Sequence, residues 1–148
     1  KWLDPCAGVG TFYSVVVQRL MKGLKKVIPN KNKRYRHIVE NMLYVCELQA
    51  KNMFIFHCIF DRPNIFELNT FYGSFLTNEF NEHMKNVWGV EKFDIVIGNP
   101  PYNDMIDMDF LQKSYDVSNC VLFVHPSLWL LDEKNKQKTI QRNKTLFW

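Results

Sequence analysis

Asn99-Pro100-Pro101-Tyr102 is the stretch of this chain whose atoms are best set out to do chemistry. An aromatic amino group offers two N–H donors. The Asn99 side-chain oxygen and the carbonyl of Pro100, a residue with no N–H of its own, supply two fixed acceptors. Satisfying both draws the nitrogen toward a tetrahedral shape and aims its lone pair outward. Tyr102 adds a flat apolar face on which a base can stack, worth about 1–3 kcal/mol in base–aromatic contacts. Together these parts describe a pocket for a flat, amino-bearing substrate. Taken alone, the same four residues also fit a proline-rich turn that closes a core strand.

A second group lies at the start of the chain, in Asp4-Pro5-Cys6-Ala7-Gly8-Val9-Gly10-Thr11-Phe12. Gly8 and Gly10 let backbone N–H groups come close to a ligand at a helix N-terminus, and Asp4 can meet a cation. A dinucleotide fingerprint needs a third glycine where Tyr13 stands, so an NAD site is disfavoured. An anionic Asp4 suits a ligand bearing an ammonium better than a bare pyrophosphate. Glu47 is the ribose candidate, because a carboxylate at the tip of a second strand can accept from two hydroxyls; it also fits as an acid at a helix start.

These residues need rigid elements behind them. Ile95-Val96-Ile97 is short, β-branched and ends at Gly98, the pattern of a strand buried on both faces of a parallel sheet. The prolines that follow hold Asn99 and Pro100 extended past its carboxyl end, where open α/β sheets bind ligands. Lys1-Trp2-Leu3 reads as the first strand and Tyr13 to Leu24 as a helix. A short helix is expected over Tyr35 to Met42, a second strand over Leu43 to Cys46, and a helix over Gln49 to Phe60 that Asp61-Arg62-Pro63-Asn64 breaks. The third strand is weakly signalled within Asn69 to Tyr72. A polar helix follows over about Asn78 to Trp88. Asp104, Asp107 and Asp109 introduce a helix reaching about Tyr115, as acids opposing its dipole rather than as metal ligands. Cys120 to Val124 reads as a fifth buried strand, ending at His125-Pro126-Ser127.

At 148 residues, 47% hydrophobic and 15% aromatic, the chain can bury one sizeable core, and one domain over 1–148 is the simplest reading. Its formal charge of +4 permits a polyanionic partner without requiring one. Lys22, Lys25, Lys26, Lys31, Lys33, Arg34 and Arg36 stand together with no acid among them and read as a solvated connection, with a basic auxiliary surface as the alternative. The tail from Asp132 to Lys144 is the part expected to touch nucleic acid. Cys6, Cys46, Cys58 and Cys120 have no Cys-x-x-Cys pairing and no metal-ligand spacing with the histidines, so they read as reduced thiols, and no metal is expected. No apolar run approaches the ~18 residues of a membrane span, and no signal-peptide pattern opens the chain. A cytosolic protein is expected, without membrane association. A start at Lys1 and an end at Trp148 without a closing element suggest a piece of something larger.

With both motifs at strand ends, the chain resembles the S-adenosylmethionine-dependent DNA adenine methyltransferases, from Lys1 to about Leu130. It is most similar to the group whose cofactor motif precedes the Asn-Pro-Pro-Tyr motif, as in restriction-modification and phage enzymes. The resemblance implies an α/β fold: a three-layer α/β/α Rossmann-like methyltransferase core with a mostly parallel sheet, truncated at both ends. It implies S-adenosylmethionine as cofactor and DNA as partner, with the target adenine flipped from the duplex. Asp4, Gly8 and Gly10 would hold the methionine end of the cofactor, with Pro5 and Phe12 alongside, and Glu47 its ribose. Asn99 to Tyr102 would hold the adenine, with Asn99 also facing the cofactor. Where the family usually has Gly-Asp-Phe, with the Asp bonding the cofactor's adenine, this chain has Gly73-Ser74-Phe75, and Ser74 offers a weaker acceptor beside Phe75. Against that resemblance, the helix before the first strand, the last strands of the sheet and a recognition domain or subunit are missing, so these residues look like a catalytic core cut at both ends. Asn-Pro-Pro-Tyr also serves enzymes acting on protein glutamine amides or RNA guanine, and a non-catalytic cofactor-binding or partner subunit is a further alternative. Recognition sequence and oligomeric state stay open.

Overall fold

The computed structural model describes residues 1–103 and 106–124. Among these the chain runs β1 (Trp2–Asp4), α1 (Thr11–Gly23), α2 (Lys31–Asn41), β2 (Leu43–Glu47), α3 (Ala50–Phe60), β3 (Asn69–Tyr72), α4 (Asn78–Asn86), β4 (Ile95–Gly98), α5 (Ile106–Val117) and β5 (Val121–Phe123). The strands form one sheet in the order β3-β2-β1-β4-β5, and every pairing is parallel. The order reverses between β1 and β4, which puts a topological switch point beside the two motifs.

Alternation along the strands sorts side chains to two faces. Leu43 and Val45 of β2 join Tyr13, Val16 and Val17 of α1, Ile38 and Val39 of α2, and Met53, Phe56 and Phe60 of α3 in one core. Tyr44 and Cys46, one residue out of phase, join Phe80 and Met84 of α4 and Phe110 and Val117 of α5 in the other. The result is three layers, α/β/α, a Rossmann-like core. Phe56, Phe75 and Phe80 are fully buried, and each such side chain stabilises the fold by about 1.5–3 kcal/mol.

Three sequence expectations change. The short helix starts at Lys31 rather than Tyr35, because Asn30 caps it, its Oδ1 accepting from the Lys33 N–H at 2.9 Å. Half of the basic segment is therefore helix, and Arg34 is buried, its Nη1 donating to the carbonyls of Ile28 at 2.6 Å and Pro29 at 3.0 Å. Among the described residues β5 lies at the end of the sheet, with Leu122 50% exposed, where the sequence reading had a buried strand. In β4 only one face is closed: Val96 is fully buried while Ile95 and Ile97 are half-buried. Among the described residues no helix is long and apolar enough to cross a membrane. Asp104, the segment from His125 and the tail from Asp132 to Lys144 lie outside the described residues.

Candidate active site

Asp4 ends β1 as a buried carboxylate, 4% exposed. Its Oδ1 accepts from the Cys6 N–H at 3.2 Å, and its Oδ2 has no partner. Burial pushes its pKa up to about 7, with the nearby Glu47 charge adding to the rise against the Cys6 hydrogen bond. A buried carboxylate with one orphaned oxygen is a costly arrangement unless something cationic completes it. Pro5, fully buried, locks the exit from the strand.

The two glycines of the following turn have different jobs, although both take left-handed backbone angles, φ +56° at Gly8 and +91° at Gly10. At Gly8 a Cβ would meet nothing within 4 Å, so the chain there stays open to a close neighbour. Its N–H, however, donates to Glu47 Oε2 at 2.7 Å. At Gly10 a Cβ would lie 2.3 Å from the Phe60 ring, and its N–H donates to the Ala7 carbonyl at 2.8 Å. Gly10 thus lets α1 pack on α3, and neither amide stands free for a ligand as the sequence suggested. Glu47, 7% exposed, ties the turn to β2: its Oε1 also accepts from the Gln49 N–H at 2.7 Å. Asn52 Nδ2 also reaches Oε1 at 3.5 Å, so the acceptor capacity left on this carboxylate, which has about four acceptor sites, is on Oε2.

β4 carries the second motif to the same place. β4 pairs with β1, and a Cβ at Gly98 would lie 3.1 Å from Asp4 Oδ1 and 3.3 Å from both Cys6 Sγ and Pro5 Cδ. Gly98 is therefore what lets the two motifs close on each other, a role that its place at the end of an apolar run does not disclose. Burial and then the Asp4 charge hold the Cys6 thiol far above its ordinary pKa, protonated and inert. Pro100 is buried, whereas Asn99, Pro101 and Tyr102 are exposed. The Tyr102 hydroxyl donates to Asn99 Oδ1 and also reaches the Val124 carbonyl at 3.0 Å. One proton can serve only one of these acceptors at a time.

The other cofactor candidates are spread out. Phe12 is half-buried in the first turn of α1. Phe75 lies in the core, 1% exposed and packed on Phe80 and Phe110 at 4.9 and 5.5 Å between ring centres, so its ring is turned away from solvent. Ser74 Oγ accepts from the Leu76 N–H at 3.3 Å within its own turn. Tyr102, expected from the sequence, is joined by four residues the sequence reading did not single out: Val9, Leu48, Tyr72, Tyr102 and Val124 are exposed apolar residues after the five strands, at 38%, 64%, 64%, 43% and 53% exposure. The signal available was positional, a large apolar residue at or within a few residues of each strand's carboxyl end. They stand at or beyond the carboxyl ends of the five strands, the edge that also carries Asp4 and Asn99.

Comparison with known proteins bears on the family of the chain. The profile of a family described as Eco57I restriction-modification methylase matches residues 25–147. A curated protein of Mycoplasma pneumoniae, described as an uncharacterized adenine-specific methylase, is 23% identical over 210 aligned residues, covering 91% of this chain. The chain spans about half the length of that relative, 50%.

Proposed function

The chain belongs to the Eco57I restriction-modification methylase family, and from that premise we propose that it transfers a methyl group from S-adenosylmethionine to the exocyclic amino nitrogen of adenine in DNA. The observation that supports this reading most is the meeting of the two motifs across β1 and β4, with an orphaned Asp4 oxygen on one side and the Asn99 carboxamide on the other. The residues fit the cofactor: Asp4 can take an ammonium, Gly8 leaves room for close approach, and Glu47 keeps acceptor capacity for ribose hydroxyls. Bound there, S-adenosylmethionine supplies an electrophilic methyl group on its sulfonium. The activity of the whole protein, its DNA partner and a cytosolic location all belong to this proposal.

The chain's own residues account for the rest. A base inside a duplex is unreachable, so the adenine is flipped out, at a cost of a few kcal/mol, and Tyr102 receives its face. Asn99 Oδ1 and the Pro100 carbonyl take the two amino hydrogens, and the Tyr102 hydroxyl can turn to Val124 as Oδ1 changes partner. Pro100, held in the core, keeps the acceptors in place, so positioning supplies most of the rate. The proton leaves after transfer, when the nitrogen has become a strong acid. In the intact protein, labelled methyl groups should pass from the cofactor to adenine-containing DNA. Transfer to protein glutamine or RNA guanine instead would replace this reading, and cofactor binding without any transfer would favour a non-catalytic subunit.

Asp4 gives the site a pH signature. With its folded pKa raised to about 7, the unliganded protein is most stable with Asp4 protonated and loses that contribution as pH rises through about 7. A cationic ligand needs the ionised form. Calorimetric affinity for S-adenosylhomocysteine should therefore fall by up to about tenfold per pH unit below about 7 and level off above it, with proton release on binding. Asp4→Asn should flatten the profile. Affinity that does not change between pH of roughly 5.5 and 8 would remove Asp4 from the cofactor site.

A further inference from the structure

We propose that the surface formed by the end of α1, the loop after it and the start of α2 is an auxiliary binding surface for the DNA backbone. The inference rests on the reading above that DNA is the substrate, and it adds a contact outside the candidate active site. Seven basic residues from Lys22 to Arg36 stand without an acid in a chain whose net charge is +4, which makes this one of two basic segments, beside the tail from Asp132 to Lys144 that the sequence favoured and that lies outside the described residues. Lys22, Lys25, Lys26, Lys31 and Lys33 are exposed, and among the described residues none has an ion-pair partner.

Two features go beyond a solvated connection. First, the loop is braced: buried Arg34 spends its Nη1 on the Ile28 and Pro29 carbonyls, which fixes the lysines on either side relative to one another. Second, Lys31 and Lys33 rim a groove of about 480 Å³ walled by Met21, Tyr35, Ile65 and Phe66. Tyr35 and Phe66 meet edge to face at 5.3 Å, and the Arg36 guanidinium lies 5.3 Å over the Phe66 ring. Lysines on flexible stems reach phosphates as point charges, and the apolar floor accommodates the sugar edge between them. Helix stability does not explain these lysines. The first turn of α2 contains no acid and two lysines, the wrong sign for its dipole.

The test is fluorescence polarisation of the intact protein with a labelled DNA duplex, titrated with salt. Lys31→Gln with Lys33→Gln should lower the slope of log affinity against log salt by about two, near one unit per lost phosphate contact. Affinity at moderate salt should fall on the order of tenfold, with the melting temperature unchanged or raised. Lys85→Gln with Lys92→Gln, which removes the same charge from exposed positions elsewhere, should keep the parental slope. An unchanged slope in the first pair, or an equal fall in both, overturns the surface while leaving the methyltransferase reading standing. A parent that binds no duplex overturns both.

Discussion

Gly10→Ala should destabilise the fold by about 2–5 kcal/mol, against about 1–2 kcal/mol for Gly8→Ala. Both positions have left-handed backbones, which an added Cβ opposes at about 1–2 kcal/mol. They differ in what that Cβ meets: open space at Gly8, and at Gly10 the rings of Phe60 at 2.3 Å and Phe56 at 2.9 Å. Those rings cannot simply swing aside, because Phe56, Phe60 and Tyr13 pack on one another at 4.5–4.8 Å between centres. Overpacking of that kind costs about a further 1–3 kcal/mol, a large part of the roughly 5–15 kcal/mol that holds a domain folded. Urea midpoints of the two variants measure the difference. A Phe60→Leu background should recover part of the Gly10→Ala loss but none of the Gly8→Ala loss. Equal midpoints for the two glycine variants would show that Gly10 is not a packing position.

The strands were legible because each is a short apolar run that a parallel sheet covers, as at Leu43 to Cys46 and Ile95 to Ile97. Which run would be an edge was not legible. Val121-Leu122-Phe123 has the composition of a buried strand, and its place at the end of the sheet, among the described residues, leaves Leu122 half exposed. The start of α2 was hidden by its charge, since Lys31-Asn32-Lys33-Arg34 reads as solvated chain, although Asn30 after Pro29 was an available capping signal. The site shows the same division. Asp4, Glu47 and Asn99 could be placed at strand ends from local pattern alone. The partners that decide what each can do were out of reach, because Phe60 lies 50 residues from Gly10 and Glu47 lies 39 residues from Gly8. Phe75 shows the limit most plainly: local pattern puts it among the cofactor candidates, and only the fold shows its ring packed on Phe80 and Phe110.

Asn99→Ala should lower methyl transfer by about 10²–10³ in kcat, by analogy with the loss of one preorganised polar contact to a transition state. Affinities for cofactor and DNA should stay near parental. The side chain is exposed, and its oxygen bonds the Tyr102 hydroxyl rather than anything in the core, so its removal leaves the fold intact. Its proposed bond to the amino group strengthens only as the nitrogen turns tetrahedral, so the loss falls on turnover more than on binding. Tyr102 behaves in the opposite way. Tyr102→Ala removes the stacking face and should weaken capture of the flipped base by about 1–3 kcal/mol, raising KM, whereas Tyr102→Phe keeps the ring and frees Asn99 Oδ1 from its hydroxyl. Single-turnover transfer of labelled methyl groups, read beside equilibrium binding of DNA and S-adenosylhomocysteine, separates the two effects. Full turnover in Asn99→Ala would take the carboxamide out of the chemistry, and a loss of turnover matched by an equal loss of binding would make it a recognition contact instead.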